Sequence, residues 1–300
     1  MKKMLVIINP VSGKQQIRTH LMEVLQIFSA AGYELTVFPT AYRGHVTELV
    51  REYGRKVDRI VVSGGDGTLN EAITGLMSFT EEERPVLGYL PSGSANDVAY
   101  SLNIPGDPVQ AAKIAAGDHI FRMDLGRFEE RFFTYVAGFG AFTAVTYETP
   151  QQEKNLLGYS AYVLEGAKSI GGIRPIHVKA EYDGITLEDD ILFGMVSNAR
   201  SVGGMHDLAG KDVGLDDGIF EVTLVRKPVL PLVDYPAIVG ALLTRNLADD
   251  PNFYTFQANR IRFSFPDEIK WVLDGEFGGA RQEAVIETVP KALSIVVPEA

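Results

Sequence analysis

Up to about residue 125, short continuous runs of apolar residues alternate with segments in which apolar residues recur at helical spacing. Short apolar runs that end at proline, glycine or a polar residue predict strands: "MLVIINP", "YELTVFPT", "RIVVSG" and "PVLGYLPSG". The segments between them have apolar residues at helical spacing: "QQIRTHLMEVLQIFSAAG", "HVTELVREYG" and "TLNEAITGLM". Strands that alternate with helices predict an α/β domain whose parallel sheet is covered by helices.

The second half of the chain has a strand-rich pattern. Its runs are rich in β-branched and aromatic residues: "RFFTYVAGFG", "IHVKAEYDGITLEDDILFGMVSN", "GIFEVTLVRK" and "NRIRFSFPDEIKWVLDGEF". Asp183-Gly184 is a favourable hairpin turn, and Ile261, Phe263 and Phe265 alternate in the way that a half-buried strand requires. This half is therefore expected to be a mainly antiparallel β-domain.

Two apolar, helix-like segments interrupt the strand-rich half. "KNLLGYSAYVLEGAKSI" has helical spacing, and "VLPLVDYPAIVGALLT" is too broken by Pro231, Asp234 and Pro236 to span a membrane. Apolar helical faces usually pack inward, so both segments are predicted to be core helices, with contact to a lipid surface as the alternative.

Composition narrows the class of protein. At 300 residues and 46% hydrophobic content, the chain is long enough for two cores, so two domains are expected. It contains no cysteine, which excludes disulfides and thiolate metal sites. Acidic residues outnumber basic ones by 39 to 28, and the basic residues are scattered, so no nucleic-acid partner is expected. No apolar run reaches the roughly 18 residues of a membrane span, which predicts a cytoplasmic chain.

A glycine-rich turn follows the strand "RIVV". Gly64, Gly65 and Gly67 allow backbone conformations and close approaches that other residues cannot make. Thr68 and Glu71 match a capping box and predict that a helix starts there. A glycine turn at a helix N-terminus offers free N–H groups to a phosphate, although an ordinary tight turn between strand and helix remains an alternative.

Asp66 stands inside this turn. A carboxylate repels a neighbouring phosphate unless a cation or a ribose hydroxyl lies between them. Asp66 therefore favours a nucleotide bound with Mg²⁺.

Two other turns resemble this one in composition. "NPVSGK" follows the first predicted strand and "LPSGSANDVA" follows the strand "VLGYL", and both have glycine and serine where a helix should begin. Open α/β sheets bind ligands at the carboxyl ends of their strands, where all three turns are expected. Neither turn is a P-loop, and the chain has no G-x-G-x-x-G motif.

Five motifs of this chain together resemble the bacterial diacylglycerol kinase-like lipid kinases, relatives of the eukaryotic diacylglycerol, sphingosine and ceramide kinases. They are "NPVSG" (9–13), "GGDGTLNE" (64–71), "PSGSAND" (91–97), "GLDDGIFEV" (214–222) and "LDGEFGG" (273–279). The resemblance runs from about residue 5 to the end of the chain. NAD kinases and, more loosely, phosphofructokinases share the G-G-D-G-T signature, but its combination with the later motifs is more specific. Ser94 stands where the family usually has threonine, and it keeps the hydroxyl.

The resemblance implies a two-domain kinase with ATP in the cleft between the domains. Residues 1–126 would form a nucleotide-binding α/β domain, to which a last strand at about 290–300 returns. Residues 127–289 would form a β-sandwich for substrate and metal. The implied cofactors are ATP and Mg²⁺, and the implied reaction phosphorylates a lipid hydroxyl, most simply that of diacylglycerol to give phosphatidic acid. The lipid would be met by peripheral contact at the inner face of the membrane, and a homodimer remains open.

The resemblance also implies site residues. The ATP-binding positions lie in the three turns and after the second strand: Asn9, Pro10, Ser12, Gly13, Thr40, Gly64, Gly65, Asp66, Gly67, Thr68, Asn70, Ser94 and Asn96. The metal positions are Asp97 and Asp124, in a carboxylate and water network, and Gly214, Asp217 and Ile219, around a structural Mg²⁺. A solvated Asp-Asp-Gly turn is the alternative at the last three.

Two carboxylates in "LDGE" would supply the catalytic groups. If Asp274 to Glu276 is extended, residues two apart face the same way, so both carboxylates enter one site. Glu276 matches the family's proton acceptor, and Asp274 would orient it or share the metal or proton work. A plain Asp-Gly hairpin turn is the alternative.

Two other functions remain open. An NAD kinase would use the same glycine turn, but "PSGSAND" and "LDGEFGG" match the lipid kinases. A non-catalytic nucleotide- or lipid-binding regulator is favoured only if residues 274 and 276 lie far from the bound phosphate.

Overall fold

The computed structural model describes residues 1–13, 16–141, 174–206, 213–244 and 246–299. The chain divides into two compact units, one of Met1–Leu125 with Pro290–Ala300 and one of Gly126–Val289. The predicted helix "KNLLGYSAYVLEGAKSI" lies outside the described residues.

The first unit alternates strands and helices, as the spacing predicts. Its elements are β1 (Lys2–Ile8), α1 (Gln16–Ala30), β2 (Tyr33–Pro39), α2 (His45–Tyr53), β3 (Arg59–Gly64), α3 (Asp66–Leu76), β4 (Val86–Pro91), α4 (Asp97–Ser101) and α5 (Pro108–Ala116). Strands β2, β1, β3 and β4 are parallel neighbours in that order. All residues of β3 are buried, which is typical of a parallel strand covered on both faces. The mixed α/β prediction is confirmed.

The end of the chain belongs to the first unit. Ile295 pairs in parallel with Leu87 of β4. The Lys291 N–H donates to the Asp124 carboxylate at 2.6 Å, and the Arg84 guanidinium donates to the Ala292 carbonyl at 3.0 Å. These contacts fix the last segment beside β4, which lies at one end of the four parallel strands.

The second unit is built mainly from antiparallel strands. The remaining strands and α-helix of the described residues are β5 (Ile120–Phe128), β6 (Arg131–Phe133), β7 (Val136–Gly140), β8 (Ile176–Tyr182), β9 (Ile185–Ser197), β10 (Ser201–Val202), β11 (Met205–His206), β12 (Phe220–Arg226), α6 (Pro231–Thr244), β13 (Phe253–Ala258), β14 (Arg260–Leu273) and β15 (Glu276–Val296). Both β9 and β14 are long enough to pair with β8 along one end and with β7 along the other. These four strands therefore close on themselves around a core.

Aromatic side chains fill that core. The ring of Phe139 lies 4.8 Å from that of Trp271, 5.4 Å from Phe263 and 5.1 Å from Phe265, measured between ring centres. The alternating residues of β14 point inward as predicted, since Ile261 and Phe263 are fully buried. Aromatic clusters of this kind combine a large buried apolar area with favourable edge-to-face contacts.

The segment "VLPLVDYPAIVGALLT" contains helix α6, but the prediction that it is a core helix is wrong for its first half. Ile238 and Ala241 are buried, whereas Leu232 is 94% exposed. The helix continues through Pro236. Among the described residues, no helix has both the length and the apolar character needed to cross a membrane.

Candidate active site

Three turns of the first unit lie at the carboxyl ends of neighbouring parallel strands. The turn after β1 is joined to β3 by the Asn9 N–H, which donates to the Ser63 carbonyl at 2.8 Å. The turn after β4 is joined to the end of β3 by the Ser92 N–H, which donates to the Gly64 carbonyl at 2.8 Å. The Thr40 N–H bonds to the Ile8 carbonyl at 2.8 Å, so the end of β2 lies beside the first turn. The predicted convergence of these segments at one sheet edge is therefore observed.

Glycines allow the three turns to touch through their backbones. A Cβ atom on Gly93 would lie 2.5 Å from the Gly65 Cα, and a Cβ on Gly13 would lie 1.9 Å from the Ser92 carbonyl oxygen. Gly13 also has a left-handed φ of 49°. A side chain at Gly13 or Gly93 would therefore collide with the neighbouring turn. The backbone amides of such turns can thus approach a phosphate closely, and this geometry fits the ATP predicted there.

Side-chain hydrogen bonds connect the same turns. The Asn9 amide donates to the Thr68 hydroxyl at 3.1 Å, and the hydroxyl oxygens of Ser12 and Ser92 lie 2.6 Å apart. Within the third turn, Asn96 accepts from the Gly93 N–H at 2.8 Å and donates to the Gly93 carbonyl at 3.1 Å. Asn96 has a left-handed φ of 54°. The three turns therefore form one hydrogen-bonded unit.

The other predicted nucleotide positions lie around this unit. Asn70 and Gly67 are half-buried near the start of α3, and Pro10 is half-buried with its carbonyl bonded to Arg18 at 3.0 Å. Ser94 is exposed at the tip of the third turn.

The predicted capping box at Thr68 and Glu71 is wrong. Helix α3 begins at Asp66, with Gly65 in the N-cap position, so Thr68 already lies within the first helical turn. A glycine N-cap offers no side-chain acceptor to the first N–H groups of the helix. Glu71 instead caps the neighbouring helix α2.

The Glu71 carboxylate accepts from the N–H groups of Gly44 at 2.9 Å and Val46 at 3.3 Å. Gly44 is the N-cap of α2 and has no side chain that could cap the helix. The Thr47 hydroxyl donates to the Glu71 carbonyl at 2.7 Å. Glu71 therefore holds the segment that leads from Thr40 into α2.

Two predicted acidic residues lie near one buried tyrosine. Burial, reinforced by the carboxylates of Asp66 and Asp97, holds the pKa of Tyr89 well above its usual range. The protonated Tyr89 hydroxyl donates to the Gly64 carbonyl at 3.2 Å. Asp66 accepts from the Val98 N–H at 3.4 Å, next to the fully buried Asp97. Asp66 and Asp97 are thus brought to the same side of the glycine turn.

Asp124 is also fully buried, on β5. Its carboxylate accepts from the Lys291 N–H at 2.6 Å, where Lys291 has a left-handed φ of 53°. This contact fixes the returning chain end.

The two carboxylates of "LDGE" do not share an extended segment, so that expectation is wrong. Asp274 and Gly275 have φ values of 48° and 81° and form the two-residue turn between β14 and β15. Leu273 and Glu276 are the paired residues that flank the turn. The structure has the hairpin that Asp-Gly favours.

Asp274 is a buried acceptor within this hairpin. One carboxylate oxygen accepts from the N–H and the hydroxyl of Thr134 at 2.7 and 2.6 Å, and the other accepts from the N–H groups of Tyr135 at 3.0 Å and Val136 at 3.1 Å. Burial raises the pKa of Asp274, while these four bonds favour its charged form. The geometry suits a residue that positions the hairpin. Glu276 follows it and is half-buried.

The loop 214–219 folds around one carboxylate. A Cβ on Gly214 would lie 2.2 Å from Asp217 Oδ2, and Asp217 Oδ1 accepts from the Ile219 N–H at 3.1 Å. Asp217 is exposed. Over the ranges that the structure describes, no three acidic or histidine side chains cluster closely enough to hold a metal. Carbonyl oxygens beside a single carboxylate, as predicted for this loop, are nevertheless suitable ligands for Mg²⁺.

Glu221 was not predicted, although it lies close to this loop. Burial raises its pKa to about 7, and the negative charge of Asp217 acts in the same direction. Its Oε1 accepts from the Gln257 amide at 3.3 Å, while its buried Oε2 has no hydrogen-bond partner among the described residues.

Sequence reasoning also missed Tyr89, Ser92 and Gly93. In the sequence, Tyr89 is an ordinary strand residue, and only the contacts of its hydroxyl with Gly64 and Asn96 show that it joins two turns. The Ser-Gly-Ser repeat of "PSGSAND" was a usable signal for Ser92 and Gly93, because small residues in succession indicate close backbone approach.

The chain is similar to known proteins along most of its length. A family model described as "Diacylglycerol kinase catalytic domain" matches residues 3–128. A diacylglycerol kinase of Bacillus subtilis (strain 168) is 34% identical over 281 residues, which cover 93% of this chain and 91% of that protein. The chain belongs to the diacylglycerol kinase family. It is therefore a kinase, and the family suggested by the five motifs is confirmed.

Other members of the diacylglycerol kinase family agree over similar lengths. A diacylglycerol kinase of Staphylococcus haemolyticus (strain JCSC1435) is 32% identical over 279 residues, 91% of this chain and 82% of that protein. A crystal structure of a candidate diacylglycerol kinase from Bacillus anthracis str. Sterne superposes with a TM-score of 0.85 at 26% identity, covering 99% of this chain and 95% of that one. The mixed α/β fold and the strand-rich second half match this structure.

Proposed function

We propose that this kinase transfers the γ-phosphoryl group of ATP to the free hydroxyl of a diacylglycerol, giving phosphatidic acid and ADP. The observation that carries the proposal is the unit of three turns, held together by the Gly65–Gly93 backbone contact and the Ser12–Ser92 hydroxyl contact. Such a unit presents several backbone amides to one polyphosphate. Family membership supports the lipid as acceptor.

Each group of residues has a distinct task in this reaction. The backbone amides of the turns bind the phosphates, and the hydroxyls of Thr68 and Ser94 are suited to phosphate or ribose contacts. Asp66 and Asp97 lie close together beside the glycine turn, and a Mg²⁺ held there would balance their charge against the phosphates. When bound, Mg²⁺ neutralises the charge that develops on the transferred group. The placement of ATP between the two domains stays a prediction.

Glu276 is the proposed proton acceptor. As the lipid oxygen bonds to the γ-phosphorus, the bond from that phosphorus to the bridging oxygen of ADP breaks, and the hydroxyl proton moves to the Glu276 carboxylate. Asp274 keeps the turn before Glu276 in place through its bonds to residues 134–136.

The direct test is label transfer from γ-labelled ATP with Mg²⁺ to a panel of acceptors that contains diacylglycerol, sphingosine, ceramide and NAD. The proposal expects labelled phosphatidic acid as the main product. Labelled NADP would assign the glycine turn to an NAD kinase, and no labelled product at all would favour a non-catalytic binding protein. A Glu276→Gln sample serves as the control for contaminating kinases.

A further inference from the structure

Four apolar side chains protrude where β12 leads into α6. Val229 is 82% exposed, Leu230 63%, Leu232 94% and Val233 62%. We call residues 229–233 the apolar tip. Exposed apolar residues are common singly, but four within five positions form a patch that indicates a partner.

The backbone of the apolar tip is nearly free of unsatisfied donors. The N–H groups of Val229 and Leu230 both donate to the Asp234 carboxylate, at 2.8 and 2.7 Å. The N–H groups of Val233 and Asp234 both donate to the Leu230 carbonyl at 2.8 Å. Pro231 has no N–H to satisfy. Unsatisfied backbone donors are the main obstacle to placing a segment in hydrocarbon, and here the obstacle is largely removed.

The basic residues at the base of the apolar tip already have acidic partners. Lys227 forms an ion pair with Asp190 at 3.1 Å, and Arg226 forms one with Asp189 at 2.9 Å. No residue from 228 to 233 is charged, and the whole chain has a net charge of −11. Attraction to anionic headgroups therefore does not explain this surface, whereas burial of its apolar side chains does.

We propose that the apolar tip inserts into the bilayer surface that holds the lipid substrate, by apolar contact and not by charge. The inference rests on the proposed function, because diacylglycerol is retained in a bilayer and the enzyme must meet it there. The insertion of leucine and valine side chains at an interface gives reversible binding that changes little with salt.

The chain has no cysteine, so a single introduced thiol can be labelled uniquely. The first experiment labels Leu232→Cys with a nitrobenzoxadiazole dye and adds phosphatidylcholine vesicles. A blue shift and a rise in emission are expected, since the dye leaves water. Met22→Cys, an exposed position on α1, is the matched control and should show no change.

The second experiment compares two substrates. In the Leu232→Ser/Val233→Ser variant, affinity for phosphatidylcholine vesicles that contain long-chain diacylglycerol should fall about tenfold or more, at low and at high salt. Phosphorylation of a dispersed, water-soluble short-chain diacylglycerol should stay unchanged. Met22→Ser should retain both properties.

The possible failures are distinguishable. If wild-type protein phosphorylates neither form of diacylglycerol, the proposed function fails, whatever the vesicle binding. If wild type is active but the dye stays in water, or the serine variant binds vesicles as well as wild type, the inference is overturned. A dimer in sedimentation velocity that the serine variant dissociates would assign the apolar tip to a second copy of the chain and would also overturn it.

Discussion

The hydroxyl oxygens of Ser12 and Ser92 lie 2.6 Å apart, although 80 positions separate them in the chain. This contact ties the turn after β1 to the turn after β4, on either side of the glycine turn that follows β3. A hydrogen bond between two turns that bind one ligand keeps their amides in the bound geometry before the ligand arrives.

The Ser12–Ser92 contact should appear as coupling in ATP binding. Ser12→Ala and Ser92→Ala should each weaken binding of Mg-ATP, and the double variant should lose less than the sum, with a coupling of about 1 kcal/mol. Calorimetric titration of the four proteins measures it, with Ser29→Ala on the exposed side of α1 as control. Strictly additive losses would mean that the contact does not organise the site.

A single added methyl group tests the close approach of the turns. Gly93→Ala would place its Cβ 2.5 Å from the Gly65 Cα, whereas a Cβ on Gly106 meets nothing within 4 Å. Gly93→Ala should therefore separate the turns and weaken Mg-ATP binding at least about tenfold, because the backbone N–H groups would no longer point toward the phosphates. Gly106→Ala should bind like wild type. Equal affinities of both variants for Mg-ATP would mean that the glycine turn has only a structural role.

Substitutions at Asp274 and Glu276 should have different effects, the first on stability and the second on catalysis. Glu276→Gln should keep the free energy of unfolding but lower kcat about 10²- to 10⁴-fold, the usual contribution of general acid–base catalysis. Asp274→Asn should lower the free energy of unfolding by about 2–3 kcal/mol, because an amide group would face donors that a carboxylate now accepts from. Urea unfolding and steady-state kinetics of both variants check this.

Asp183 is the matched control for Asp274. It occupies the same position in an exposed Asp-Gly hairpin, with a φ of 46°, so Asp183→Asn should change neither quantity. A stable Asp274→Asn protein, or a fully active Glu276→Gln protein, would contradict the division of tasks.

These two hairpins show what the sequence could and could not reveal. Asp183-Gly184 and Asp274-Gly275 are the same dipeptide in the same turn, and local backbone preference predicts both. The sequence could not show that Thr134, about 140 positions away, would surround Asp274 with donors. The extended interpretation of "LDGE" gave more weight to two carboxylates in one site than to the Asp-Gly hairpin turn, which was kept as the alternative.

The first unit was more predictable for a physical reason. Strand and helix spacings are local properties, and all seven of the strands and helices predicted before residue 92 are present. Contacts such as Glu71 to Gly44 depend on which helices become neighbours, and the motif around Glu71 suggested a nearer partner. The sequence therefore failed mainly to predict which distant residues the polar side chains would contact.

Glu221 gives the stability of the metal-free protein a pH dependence. Its folded-state pKa of about 7 lies above the ordinary value of 4.5, so its stabilising contribution is complete below about pH 4.5 and is lost as pH rises through 7. Glu221→Gln should flatten the pH profile of unfolding between these values and raise stability above pH 7. The measurement uses a chelator, so that no metal alters the charge nearby. The exposed Glu283→Gln is the control, and parallel profiles for all three proteins would refute the effect.

The loop 214–219 should bind Mg²⁺ through Asp217. The Asp217 carboxylate folds back over Gly214, where a Cβ would lie 2.2 Å from Oδ2, and the exposed neighbour Asp216 provides a matched control of equal charge. Without nucleotide, the wild-type melting temperature should rise with Mg²⁺, because a ligand that binds only the folded state adds about 2.7 kcal/mol at a concentration of 100 Kd. Asp217→Ala should melt lower and lose the response to Mg²⁺, while Asp216→Ala should keep it.

The Mg²⁺ response is the decisive quantity. Asp217→Ala also loses the turn bond to the Ile219 N–H, which would lower the melting temperature whether or not the loop binds Mg²⁺. A wild-type melting curve that Mg²⁺ leaves unmoved would make this loop a solvated turn.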